Sequence, residues 1–367
     1  MPRSAMEKMN MPENNISVPV KKRYEWIDNS RVIASILIMY VHLPLALPET
    51  NVINNAVVNN LTSYCVYAGR VSIFLMLSGY LFGRNASWFK TLDRFLWLLI
   101  PYVLWNLIIW ASHLAFGSHT EVSIFQVMGI GAVFDSSIVI SPAGPVKPCL
   151  DAPAWYMRDM LPLTLLTPFF VKYKRYLPYA ILFIVLCFHG DWRMKSEVMM
   201  APSTVCFYMF GVYLTNFKIE QAYSIFTDKF TPVVVFGFLI ACATSLAFTV
   251  FHLGFCMPVK TPLGLLFGSM MIAHCGVLIE KKLPKLSKKL VPLGPASFLI
   301  FMIHWPIFHL VAHIWPGITH SLWVLLLPWP VYCLIAGSFL AMKKYTPWLM
   351  PYLGHMKIKK AADVQKT

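Results

Sequence analysis

Ten apolar runs, every second one followed by a small basic cluster, restrict this chain more than any other feature. Crossing a bilayer takes about 20 apolar residues. Lipid offers no partner to a bare backbone, so the peptide groups must bond one another. The runs fall at 29–48, 62–83, 95–116, 153–171, 176–190, 200–217, 230–252, 261–280, 294–315 and 319–342. The first, fourth and fifth are short or polar. The expectation is an all-α protein, a polytopic transmembrane helical bundle of about ten spans. Charged residues make up 13% of the chain, against about a quarter in a soluble domain. A net charge of +15 does not indicate nucleic acid, because the basic residues lie in clusters between apolar runs rather than on one soluble face.

Those clusters orient the bundle. With both termini in the cytoplasm, the inner side holds about 25 of the 31 Lys and Arg residues, as the positive-inside rule requires. Arg70, Lys147, Arg158, Arg193, Lys195 and Lys260 remain outside. An odd number of spans would scramble this asymmetry. Trp and Tyr gather near the predicted ends, where interface anchors belong. Residues 1–25 read as a disordered cytoplasmic leader without a cleavable signal peptide. Residues 26–345 form the membrane domain and 346–367 a basic cytoplasmic tail. The outer connection 117–152 is either a lid or a loop lying on the membrane surface. The eight cysteines lack a CxxC pair and read mostly as small buried hydrophobes, with Cys149 and Cys256 placed in outer loops where a disulfide is one option.

Ionisable residues inside these runs are the functional candidates. Arg31 and His42 lie eleven residues apart, about three turns and roughly 16 Å along one helix face. Arg31 is near the inner headgroups and His42 in the outer half. His42 is either a general base or a histidine bonded to a neighbouring carbonyl. Arg70 and Arg158 fall at a similar depth to His42. They suit an anionic substrate group or a developing oxyanion, although Arg158 also has a local partner in Asp159 or an interfacial position available. Arg31 and Asp28, with Lys90 and Arg94, form an inner patch fit for donor phosphates, or ordinary inner-face anchoring. His304 lies midway along the ninth run. His309 and His313 have only apolar company, and no metal is expected. No phosphate loop, GxSxG elbow or dinucleotide fingerprint is present.

Four stretches, in order, carry a resemblance. IDNSRVIASILIMYVH resembles the first-span signature of the integral-membrane acyltransferase family 3. GRVSIFLMLSGYLFG, PAWYMRDMLPLTLLTPFF and ASFLIFMIHWPIF resemble its later blocks. The resemblance implies a multi-pass protein of the bacterial plasma (inner) membrane. It implies an acyltransferase for groups other than aminoacyl, with acyl-CoA, commonly acetyl-CoA, as the donor substrate. The implied acceptor is a hydroxyl of an envelope glycan or lipid-linked sugar. Matched residue by residue, it implies catalytic roles for His42, Arg70 and Arg158 and donor binding by Arg31, Asp28 and Arg94. Trp155, Ser78, Gly79 and His304 fall on further motif positions. Trp97 stands where a second basic residue is common, Phe301 where Tyr is common, and the chain matches the membrane module alone. The competing function from another class is a transporter or flippase of a lipid-linked sugar or small molecule. A structural or sensory protein fits so many intramembrane charges less well.

Overall fold

A chain this apolar should be helical wherever it is ordered, and the computed structural model shows that. It describes residues 23–46, 70–115, 155–187, 202–221, 230–251, 257–320 and 322–353, among which no strand occurs. Among the described residues ten longer helices overlap the apolar runs in part or whole: α1 Glu25–Ala46, α2 Arg70–Gly83, α3 Trp88–Ala115, α4 Trp155–Lys172 and α5 Leu177–Cys187. They continue with α6 Pro202–Tyr213, α7 Thr231–Phe251, α8 Met257–Lys282, then, after the short α9 Pro284–Leu290, α10 Ser297–Ile314 and α11 Pro328–Tyr345. Four stretches are long and apolar enough to cross a membrane by themselves: Trp88–Ile108, Gly264–Lys282, Pro284–Ile314 and Trp323–Tyr345. The connection 117–152, Cys149, Cys256 and most of the two terminal segments lie outside the described residues.

Two differences from the apolar pattern have simple causes. Helix α3 begins at Trp88, seven residues before the expected run, because helical hydrogen bonds continue through its polar first turns as readily as through apolar ones. The basic stretch after α8 is not a plain loop. Pro284 opens α9, where a missing N–H is harmless, and the 3-10 turn Val291–Ala296 leads straight into α10.

Helix α1 is the axis of the bundle. Ala34, Ile38 and Met39 are fully enclosed, and so are the small polar Asn29 and Ser30. Ser30 and Ser35 return their hydroxyls to the carbonyls of Trp26 and Arg31 at 2.7 Å each, which removes the penalty of burying them. Around α1 pack α2 and α8 on one side, α10 and α11 on another. A second core joins α2, α4 and α6 through Leu75, Met160, Leu163 and Tyr208.

The contact between α2 and α6 depends on two glycines. A Cβ on Gly79 would collide with the Tyr208 carbonyl, and one on Gly211 with the Met76 carbonyl. Lipid supplies no hydrophobic drive between helices, so close backbone approach at small residues supplies packing instead.

The amino-terminal end of α1 is tied to its neighbours by polar bonds. Tyr24 Oη donates to Glu220 at 2.7 Å, the Trp26 amide to Glu280 at 3.2 Å, and Ser287 Oγ to Glu25 at 2.6 Å. The Glu220 carboxylate raises the Tyr24 phenol above its ordinary pKa by holding its proton. Asn29 Nδ2, inside α1, donates to Ser287 and to the Gly276 carbonyl. These bonds fix α1, which carries Arg31 and His42, against α8 and α9.

Candidate functional site

Two turns of α1 and α10 bring the histidines together. His42 Nδ1 lies 2.8 Å from His304 Nε2, and His304 Nδ1 lies 2.6 Å from the Ile300 carbonyl oxygen. A carbonyl can only accept, so His304 carries its proton on Nδ1 and presents a lone pair on Nε2. His42 must then donate from Nδ1, which leaves the lone pair of His42 on Nε2. One backbone carbonyl thus sets the tautomer of both rings. The rings are nearly parallel, 16° apart with centroids separated by 5.0 Å, which suits an N–H meeting an in-plane lone pair. Trp305 stands edge-on to His42 and Phe308 edge-on to His304, holding both rings in place. His304 is wholly buried, whereas His42 keeps some exposure.

One turn toward the inner end of α10, Phe301 packs on Tyr156 of α4 with centroids 5.0 Å apart. The Tyr156 hydroxyl lies 3.3 Å from Ser78 Oγ of α2, and its ring also meets Phe74. Arg31 of α1 is within electrostatic reach of Tyr156. The guanidinium of Arg31 makes no hydrogen bond among the described residues. Its nearest acid is Asp28, at 3.7 Å, beyond hydrogen-bonding distance. Arg31 retains 27% of its side-chain exposure although protein surrounds it. A guanidinium has five N–H donors, so an intramembrane arginine held this loosely has donors to offer a ligand.

The other sequence candidates take separate places. Asp28 is buried, receives Arg23 Nε at 2.7 Å and sits against Gly294, where a Cβ would lie 2.5 Å from Oδ1. Arg94 donates to the Phe82 carbonyl at 2.8 Å and covers the Phe82 ring, so it caps the end of α2. Lys90 is exposed. Arg158 is buried and directs both Nε and Nη2 to Asp159 Oδ1, at 3.0 and 2.9 Å. A charge buried at this depth needs such a partner, and the local pairing gives Arg158 one without reaching His42. Arg70 opens α2 eight residues before Ser78, about 12 Å along the helix. Trp155 opens α4. The side chains of Arg70 and Trp155 lie outside the described ones.

A polar column therefore runs up the bundle centre: Arg31, then Tyr156 with Ser78, then His304 with His42. Helices α1, α2, α4 and α10 each contribute to it. Among the described residues no group of three His, Cys, Asp or Glu side chains could hold a metal ion. The arrangement offers a lone-pair nitrogen, hydroxyl donors and a cation in sequence, the set that proton removal beside a polarised carbonyl requires. Tyr156 escaped the sequence reading, although it stands between the singled-out Trp155 and Arg158; its ring resembled any interface aromatic. A family model described as "Acyltransferase domain" matches residues 24–342, a range that holds every residue of this column. No curated protein and no solved structure matches the chain.

Proposed function

Because the chain belongs to the acyltransferase family that matches it, we propose that it moves an acetyl group from acetyl-CoA to a hydroxyl of a glycan or lipid-linked sugar of the bacterial envelope. Family membership and the apolar helices make it a multi-pass membrane acyltransferase. The donor, the acyl group, the acceptor, the bacterial inner membrane and the ten-span topology are our reading. The bonding of His42 to His304 carries that reading: it sets the His42 tautomer that a general base needs. His42 Nε2 takes the acceptor hydroxyl proton. His304 acts through His42 and is a positioning residue.

Arg31 receives the donor from the cytoplasmic side. Its position, eleven residues inward of His42, spans roughly 16 Å, a length the pantetheine arm covers. Arg94 and Asp28 frame the inner entrance, Arg94 by capping α2 and Asp28 by bridging Arg23 to Arg31. Arg70, at the outer end of α2, anchors the acceptor. Arg158, held by Asp159, steadies the start of α4 rather than meeting substrate.

The test is acetyl incorporation from labelled acetyl-CoA in membranes that carry His42→Ala or Arg31→Ala. His42→Ala should lose roughly 10²- to 10⁴-fold in rate, the range for a general base. Arg31→Ala should chiefly raise the apparent KM for acetyl-CoA. Full activity in both variants at normal expression rejects the assignment. A transporter would instead move its substrate across sealed vesicles without CoA.

A further inference from the structure

Four helices converge on one hydroxyl pair that the reading above does not use. Tyr156 Oη and Ser78 Oγ lie 3.3 Å apart, long for a bond between hydroxyls, which usually measure about 2.7–2.8 Å. Each hydroxyl has one donor, and in that contact only one of the two can point at the other. A third oxygen placed against both would accept from the two hydroxyls at once. Phe74 and Phe301 pack their rings against that of Tyr156. The electrostatic effect of these donors is strengthened away from water. The Arg31 cation, in electrostatic reach, favours negative charge there. The pair also sits one turn of α10 inward of His304, on the side from which a cytoplasmic thioester would arrive.

We propose that Tyr156 and Ser78 bind the carbonyl oxygen of the acyl thioester and hold the negative charge it gains during transfer. This rests on the acyltransfer reading. The acceptor oxygen adds to the carbonyl carbon while its proton passes to His42 Nε2. The carbonyl π pair moves onto oxygen, where Tyr156 O–H and Ser78 O–H receive it. When that pair returns, the C–S bond breaks and the sulfur leaves with its electrons. His42 hands the proton to sulfur, giving the ester and the CoA thiol. Preorganised donors of this kind stabilise the transition state more than the bound ground state.

The experiment uses the full chain in envelope membranes, which supply the acceptor, and compares the wild type with Tyr156→Phe and Ser78→Ala. Three quantities are read: maximal transfer rate, apparent KM for acetyl-CoA, and retention on an immobilised S-alkyl CoA thioether that has no carbonyl. Tyr156→Phe should lower the maximal rate on the order of 100-fold, with KM changed less than about twofold and thioether retention intact. Ser78→Ala should lower the rate in the same direction by a smaller factor. A Tyr156→Phe rate within about threefold of wild type overturns the proposal, since one oxyanion donor is worth far more than that. So does loss of thioether retention together with rate, which marks a structural role. Absence of CoA-dependent transfer by the wild type overturns the acyltransfer reading itself, and with it this inference.

Discussion

Removing the acceptor nitrogen of His304 should be felt first at His42. In His304→Leu the buried volume stays apolar and well filled, yet the His42 Nδ1 proton loses the partner that now lies 2.8 Å away. His42 is then free to carry its proton on either nitrogen, and the base is correctly set only part of the time. His304→Gln keeps an acceptor that can face His42. The expected outcome is a transfer rate at least about tenfold lower in His304→Leu, largely restored in His304→Gln, with both proteins purifying and melting like the parent. Equal rates in the two variants would show that His304 merely fills space. The sequence suggested both histidines as candidates, but not their bond. That contact joins residues 262 positions apart, and hydropathy carries depth within a span, not which spans touch. Arg158 shows the converse. The sequence left both substrate contact and a local pair with Asp159 open, and Asp159 Oδ1 accepts from Arg158 Nε and Nη2.

Helices were legible because their cause is local. An apolar run in lipid has to bond its own backbone, and each of the ten runs contains one. Their neighbours were not, because packing in this bundle follows small residues and shape. The α2–α6 crossing is the clearest case. Gly79 and Gly211 stand against partner carbonyls with no room for a side chain, whereas Gly337, on the exposed side of α11, has nothing within 4 Å of its Cβ position. Gly211→Val should therefore force the two helices apart and destabilise the protein by about 1–3 kcal/mol or more. Gly337→Ala should be neutral or stabilising by up to about 1 kcal/mol through helix propensity. Thermal unfolding of the detergent-solubilised variants reads both. A Gly211→Val melt indistinguishable from that of Gly337→Ala would mean that the close crossing is absent. The 3-10 turn Val291–Ala296 had no visible cue beyond its prolines, yet it sets Gly294 against Asp28 and so fixes the depth of α10 relative to α1.

At the scale of the molecule, the outer surface is as informative as the core. Large apolar side chains are exposed along its flanks, among them Phe183 and Leu186 on α5, Phe236 on α7 and Leu334 on α11. On a water-soluble monomer a surface like this would promote aggregation; in hydrocarbon it is the expected face. Aromatic residues end the helices at both levels. Trp88, Tyr345 and Trp348 are exposed at the expected cytoplasmic level, and Trp315, Trp323 and Trp329 at the opposite one. Membrane proteins carry such anchors at both interfaces. Between them α10 runs 18 residues, about 27 Å, close to the roughly 30 Å hydrocarbon core. The lysines at the end of α8 and on α9 are exposed, and on the cytoplasmic side anionic lipid would attract them. The positive-inside rule then predicts that the column has a direction, with Arg31 facing the cytoplasm. A single cysteine at Lys285 and another at Trp315 test it, each compared with the parent chain for labelling by a membrane-impermeant maleimide. Lys285→Cys should label only when vesicles are inverted or permeabilised, and Trp315→Cys should label from the outside in intact cells. The reverse pattern would place Arg31 on the far side from CoA. Labelling of both from one side would break the alternation that puts α10 across the membrane.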